Sequence, residues 1–256
     1  MQTFKKIDQL IQAEQRGNPA EFLSTETDLK ETDAYEFQQK LVSRKSRTGH
    51  VPSGFKISMT SPETQALADT DEPAYGTLFN RSLIKNNASV SLSDLNEPLL
   101  EPELIFTFTE DLSDSPSAEE IISKSLVSPG LEIPDSRFQN WFPRFKLMDL
   151  ICDNAFTGRV VTGTKAVPAN TLDLADISMN LERNGIPVAS GHSSSVMGDP
   201  VLSVQWLAGK LCSHGCKVKK GMIVSSGTFI PPVRLTEGKY TAHFSSGGSV
   251  GVNAVP

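Results

Sequence analysis

The sequence predicts an α+β fold: an N-terminal helical segment, residues 1–50, on a mixed, β-rich body, residues 51–256, which forms one structural unit. Three observations predict it. Apolar residues recur at helical spacing through the first fifty residues. From Val51 onward the texture changes to short alternating apolar segments broken by Gly, Pro, Ser and Asn. Those segments do not alternate regularly with helices, which argues against a doubly wound parallel sheet.

The elements follow in order. Phe4, Ile7, Leu10 and Ile11 mark a first helix that Gly17 ends. Asp33 followed by Glu36 reads as a capping box opening a second helix, with Tyr35, Phe37, Leu41 and Val42 on its apolar side. Residues 43–49 are basic and polar, a solvated helix end or a linker. Residues 54–60 alternate as a strand, Phe55, Ile57 and Met59 against Lys56, Ser58 and Thr60. Residues 103–109 alternate likewise. Ser117 and Glu120 cap a short helix carrying Ile121, Ile122 and Leu126. Residues 131–135, 158–162, 177–181, 222–226 and 240–244 are further strands. One strong helix interrupts them: Asp199 is its N-cap, Pro200 its first residue, Val201, Val204, Ala208 and Leu211 its stripe, and Gly215 its stop.

Composition narrows the function. A chain of 256 residues with 24 Lys+Arg against 30 Asp+Glu carries a formal charge of -6, which argues against a nucleic-acid partner. No apolar run approaches the roughly 20 residues of a membrane helix, so no membrane partner is expected. The start shows no apolar core of a secretory signal, and three cysteines fit a reducing compartment, so the expected location is cytoplasmic.

Chemistry is expected at three carboxylates. Glu101 and Glu103, two apart on a strand, point to one face and repel each other. An isolated pair of this kind is usually solvated, but Leu-Ile-Phe-Thr-Phe follows and carries the strand inward. Glu132 lies between Leu131 and Ile133 and needs a partner. Three carboxylates suit an oxygen-seeking divalent ion, Mg²⁺ or Mn²⁺, better than zinc. Lys56, on the polar face of its strand, is either a surface lysine or a group that holds a substrate carboxylate or transfers protons.

Other motifs are weaker. Residues 158–165 mimic a phosphate-binding loop, but the lysine does not directly follow the second glycine. Cys212, His214 and Cys216 lack a fourth zinc ligand. Ser193, Ser194 and Ser195 lack a nucleophile elbow and read as a polar loop.

The stretches GFKISMTSPE (54–63), EPAYGTLF (72–79), EPELIFTF (101–108), LEIPDSRFQNW (131–141), DNAFTG (153–158), MGDPVLSVQWLAGKL (197–211) and GMIVSSGT (221–228) stand in an order that resembles the hydratase/decarboxylase branch of the fumarylacetoacetate hydrolase superfamily. The resemblance covers nearly the whole chain. It implies a rolled mixed β-structure, Glu101, Glu103 and Glu132 as ligands of Mg²⁺ or Mn²⁺, and Lys56 as a catalytic lysine. It also implies Ser58, Leu78, Ser226 and Thr228 as substrate-binding residues, a small-molecule 2-oxo acid as substrate, and assembly as a homo-oligomer. The activity implied is a metal-dependent lyase of 2-oxo acids or their dienols, a hydratase first, with a 4-oxalocrotonate-type decarboxylase or a non-catalytic partner subunit as alternatives. A hydrolase or tautomerase of the wider superfamily would need a His–acid pair near the metal, and no convincing one is visible. The chain has Ala74 where many such hydratases carry an acid, as the decarboxylases also lack it. Trp141 and the run from Thr228 to Val233 resemble the hydratases. The turn at 191–195 lacks one of the family's glycines, so His192 and the serines are candidate substitutes.

Overall fold

The structure, a computed structural model, describes residues 2–26 and 29–256. The N-terminal region holds α1 (Gln2–Arg16) and α2 (Glu31–Ser46). Gly17 takes a left-handed φ of +62° and ends α1 as expected. The box at α2 sits differently: Lys30 is the N-cap, and Asp33 is the third helical residue, accepting the Lys30 backbone N–H at 3.3 Å. Glu36 instead pairs with Lys40 one turn on. The helix runs on to Ser46, so Lys45 is not solvated: it is buried and paired with Glu14 of α1 at 2.7 Å.

The body follows as β1 (Pro52–Ser58), α3 (Pro62–Leu67), β2 (Ala74–Phe79), β3 (Leu83–Lys85), β4 (Ser89–Ser91), β5 (Leu99–Phe108), α4 (Ala118–Ser123), β6 (Ser125–Ile133), α5 (Leu147–Cys152), β7 (Arg159–Thr162), β8 (Val167–Pro168), β9 (Ser178–Arg183), β10 (Ile186–His192), α6 (Pro200–Ser213), β11 (Ile223–Thr228), β12 (Val233–Arg234), β13 (Gly238–Phe244) and β14 (Gly248–Val255). β1 stops at Ser58 because Met59 turns to φ +59°, so Met59 and Thr60 leave the strand. Ser117 caps α4 by accepting the Glu120 N–H, and Asp199 caps α6 by accepting the Val201 N–H.

The larger sheet has the order β2-β1-β11-β5-β6-β7-β3, with β12 on β5 and β8 on β6, and it curls into a half-barrel. The smaller sheet runs β10-β9-β13-β14-β4, and its β14 packs against β6 and β7. α2 and α5 pack together, with Gln38 of α2 donating to the carbonyls of Tyr75 on β2 and Ile151 on α5, and α6 lies against β1 and β11. One face of the large sheet, with Phe55, Ile57, Leu104, Phe106, Val224 and Leu131, joins the helices and the smaller sheet in a single apolar core. The opposite face carries a small separate cluster of Leu78, Ile105, Val160 and Ile223. Among the described residues no helix is long and apolar enough to cross a membrane.

The turn after β6 is tied down from inside. Arg137 is buried and donates through Nε to Asp153 Oδ1 at 2.6 Å and through Nη1 to the carbonyls of Asp135 and Thr157. A buried pair of this kind holds its geometry because each charge left alone would be costly. The Arg137 backbone N–H also reaches Asp153 Oδ2 at 2.9 Å. The end of the strand that carries Glu132 is thereby fixed.

Candidate active site

Register brings the site together. β5 and β6 are antiparallel, with Glu101 opposite Glu132 and Glu103 opposite Gly130. β11 lies on the other side of β5, placing Ser225 opposite Ile105 and Thr228 opposite Glu103. β1 runs parallel to β11 with Lys56 level with Ser225. Residues directly opposed in a ladder share a face, and so do residues two apart. Lys56, Ser225, Glu101, Glu103 and Glu132 therefore all project from one face, the one whose other end is filled by Leu78, Ile105, Val160 and Ile223.

Glycines make the room. A Cβ at Gly130 would lie 2.3 Å from Ile105 Cγ1, so the position opposite Glu103 admits no side chain without repacking. Gly227 has φ +117°, where the pairing of β11 with β5 shifts register, and its N–H meets Glu103.

The three carboxylates offer ligand atoms that all lie within 4.8 Å of one another. Glu103 Oε2 accepts from Ser225 Oγ at 2.5 Å and from the Gly227 N–H at 2.9 Å. Glu103 Oε1 and Glu132 Oε2 are buried without a hydrogen-bond partner among the described residues. Lys56 Nζ lies 2.8 Å from Glu132 Oε1 and donates to Ser58 Oγ at 2.7 Å. The lysine is 2% exposed, so its strand face is not solvent but the interior of the site. Three carboxylates against one ammonium leave two negative charges uncompensated in a dry setting. Two bare carboxylate oxygens and that deficit are what an oxygen-bound divalent cation satisfies. The residues present fit such an ion.

Burial, and then the charge of Glu132, pushes the Glu101 carboxyl up to about 8, while Lys56 opposes the shift. Burial and the charges of Glu132 and Glu101 likewise raise Glu103 well above its ordinary value, and burial raises Glu132 against the pull of Lys56. A carboxyl whose folded pKa is raised contributes stability that is fully present below its unfolded value of 4.5 and is lost as pH rises through about 8. Metal-free protein should therefore lose stability across that window, and a divalent ion should restore it by displacing the proton. The rise in melting temperature on adding Mg²⁺ is expected to grow from pH 6 to pH 8 in calorimetric scans. A rise independent of pH would contradict this account of the charges.

The remaining expected residues divide. Ser58 and Thr228 line the cavity that Glu101 and Lys56 also line. Leu78 and Ser226 do not. Leu78 packs in the apolar cluster on the same sheet face. Ser226 turns its buried side chain away, and its carbonyl accepts from Ser203 of α6 at 2.7 Å. Ala74 is buried on β2 opposite Ser58, and Gly76 opposite Lys56. His192 contacts Asp176 Oδ1 at 2.9 Å and Ser194 Oγ at 2.8 Å and is absent from the cavity wall. His214 meets the Tyr75 hydroxyl at 2.7 Å, and Cys212 and Cys216 are exposed. Sequence reasoning missed Ser225, Thr60, Phe142 and Phe145, and Trp141, noted there as hydratase-like, lines the cavity. Ser225 carried no alternation signal, because Ile223 precedes it on the same strand face.

The chain is similar to known proteins over most of its length. It is 33% identical over 245 residues to a 2-keto-4-pentenoate hydratase of Paraburkholderia xenovorans (strain LB400), spanning 94% of this chain and 90% of that protein. It is 31% identical over 212 residues to a 2-oxo-hept-4-ene-1,7-dioate hydratase of Escherichia coli, spanning 80% and 79%. Among solved structures it superimposes on 4-oxalocrotonate decarboxylase from Pseudomonas putida G7, complexed with magnesium and adipate, with a TM-score of 0.93 and 25% identity over 99% of this chain and 97% of that one. No protein-family model matches the chain.

Proposed function

We propose, from the premise that this chain belongs to the hydratase/decarboxylase branch of the fumarylacetoacetate hydrolase superfamily, that it is a divalent-metal-dependent hydratase of 2-hydroxydienoates, the dienols of 2-oxo-4-enoic acids. Its relatives make it an enzyme acting on 2-oxo acids. The observation that carries the metal reading is the convergence of three carboxylates, Glu103 and Glu132 buried and Glu101 half-buried, served by one ammonium. Glu101, Glu103 and Glu132 would hold the ion, Mg²⁺ or Mn²⁺. When bound, the ion supplies Lewis acidity that stabilises negative charge developing on the substrate's C1 carboxylate and C2 oxygen.

The chain's own groups do the rest. Ser225 and the Gly227 N–H hold one oxygen of Glu103, which fixes the direction of the other. Glu132 fixes Lys56, and Lys56 donates to Ser58 Oγ on the cavity wall. That pair holds a proton at the cavity edge and can pass it through the Ser58 hydroxyl to a substrate carbon. Ala74 offers only a methyl group, so the relay rests on Lys56 and Ser58. Trp141, Phe142, Phe145 and Phe156 wall the cavity and exclude bulk water. Assembly as a homo-oligomer in the cytoplasm belongs to the same reading. Exposed Ile186 and Val188 on edge strand β10 offer apolar surface for it.

A second reading, decarboxylation, is favoured by Ala74, because loss of CO₂ needs no activated water. The test is incubation of the purified protein with Mg²⁺ and a panel of 2-hydroxydienoates, following ultraviolet absorbance and CO₂. We expect Mg²⁺-dependent loss of the dienol absorbance without CO₂ release. Stoichiometric CO₂ would establish the second reading. Absence of turnover with every dienoate, despite bound metal, would leave a non-catalytic partner subunit.

A further inference from the structure

The cavity beside Glu101 has two charged residues on its lining, Glu101 and Lys56. Its other walls include Leu67, Leu99, Trp141, Phe142, Phe145 and Phe156. Among the described residues that line the cavity, Lys56 is the only cation, and Glu132 and Ser58 already engage it.

Apart from the neutral hydroxyl of Thr60, the side-chain polar atoms on the rest of the lining are turned elsewhere. Trp141 directs its indole N–H to the carbonyls of Asn96 at 3.0 Å and Glu97 at 3.2 Å, so it presents carbon to the cavity. Trp141 and Phe145 both pack on Phe156, with ring centroids 4.8 and 5.1 Å away. Thr64 gives its hydroxyl hydrogen to the Ser61 carbonyl at 3.0 Å, and Thr228 gives its own to the Ile230 carbonyl at 2.8 Å.

We infer that this cavity selects 2-oxo acids and dienols with an uncharged, apolar tail and rejects those ending in a second carboxylate. The inference rests on the proposed function and names the substrate class of the same site. A tail carboxylate would leave water for a wall of rings and methyl groups with no counter-charge. An alkyl tail would gain from the same burial. Family membership does not decide the matter, since relatives are named for substrates of both kinds.

Two measurements test it on the full-length, Mg²⁺-loaded enzyme. For kcat/KM, an alkyl-tailed 2-hydroxydienoate is compared with one of equal chain length ending in carboxylate. We expect the alkyl substrate to be favoured by roughly 100-fold or more. Binding is read separately by calorimetry with saturated analogues, 2-oxohexanoate against 2-oxoadipate, and the first is expected to bind at least about tenfold tighter. Phe142→Arg places a cation at a half-buried point of the wall and should bring 2-oxoadipate toward parity. Equal or tighter binding of 2-oxoadipate by the wild type would overturn the inference while leaving Mg²⁺-dependent turnover, and so the proposed function, standing. Selective binding of 2-oxohexanoate with no turnover of any dienoate would do the reverse.

Discussion

Glu103→Gln is expected to abolish Mg²⁺-dependent turnover while leaving the protein folded. Glu103 is fully buried at the centre of the site, with one oxygen held by Ser225 and Gly227 and the other bare. The amide oxygen of Gln can accept the same two hydrogen bonds, so the local geometry survives. Its NH₂ group then points where the ion would sit, and the negative charge is gone. Groups that merely orient a metal ligand are worth roughly 10- to 100-fold, so loss of a ligand itself should cost at least about 100-fold in kcat/KM. The metal-free variant should also melt higher than metal-free wild type, because one of three repelling carboxylates is removed. Activity assays and calorimetric scans with and without Mg²⁺ check both parts. A variant with wild-type turnover would remove Glu103 from the metal site.

Lys56→Ala separates chemistry from metal binding. The ammonium is the positive member of a buried pair with Glu132, and its hydrogen bond to Ser58 carries it to the cavity wall. Truncation removes the proposed proton donor, so turnover should fall by about 10²- to 10⁴-fold. Metal affinity should persist, because the three carboxylates remain and lose a competing cation. Metal-free protein should be destabilised by about 3–5 kcal/mol, the usual cost of stranding one charge of a buried pair, and the ion should recover much of it. Kinetics, Mn²⁺ titration and melting curves together decide the matter. Loss of metal binding along with activity would make Lys56 a prop for the carboxylates instead.

The parts legible in the sequence were those with strong local signals. Asp199-Pro200 and Gly215 bracket α6 because caps and breakers act within one turn. Glu101 and Glu103 could be placed on one face because strand period is fixed by backbone geometry. Glu132 stood out as an unpaired charge between apolar neighbours. Lys56 was harder, because a polar strand face reads as solvent until the sheet curls and closes that face inward. Strand β10 escaped, although Asn184-Gly185 carried a hairpin signal that the structure uses, with φ of +53° and +78°. β14 escaped because the glycine and serine run at 245–249 masks the alternation of Val250, Val252 and Ala254, which are buried. Ser226 and Leu78 show a different limit. The register of β11 shifts at Gly227 next to Ser226, and which polar neighbour meets the carboxylates depends on pairing with β5. The apolar cluster holding Leu78 exists only once four strands are paired.

Titration of chelator-treated protein with Mn²⁺, followed by the electron spin resonance signal of the free ion, is the most direct test that these three glutamates form a metal centre. One ion per chain should bind, Mg²⁺ should displace it, and binding should be lost in both Glu103→Gln and Glu132→Gln. No binding by folded wild-type protein, or binding left unchanged in both variants, would contradict the metal centre on which the function rests.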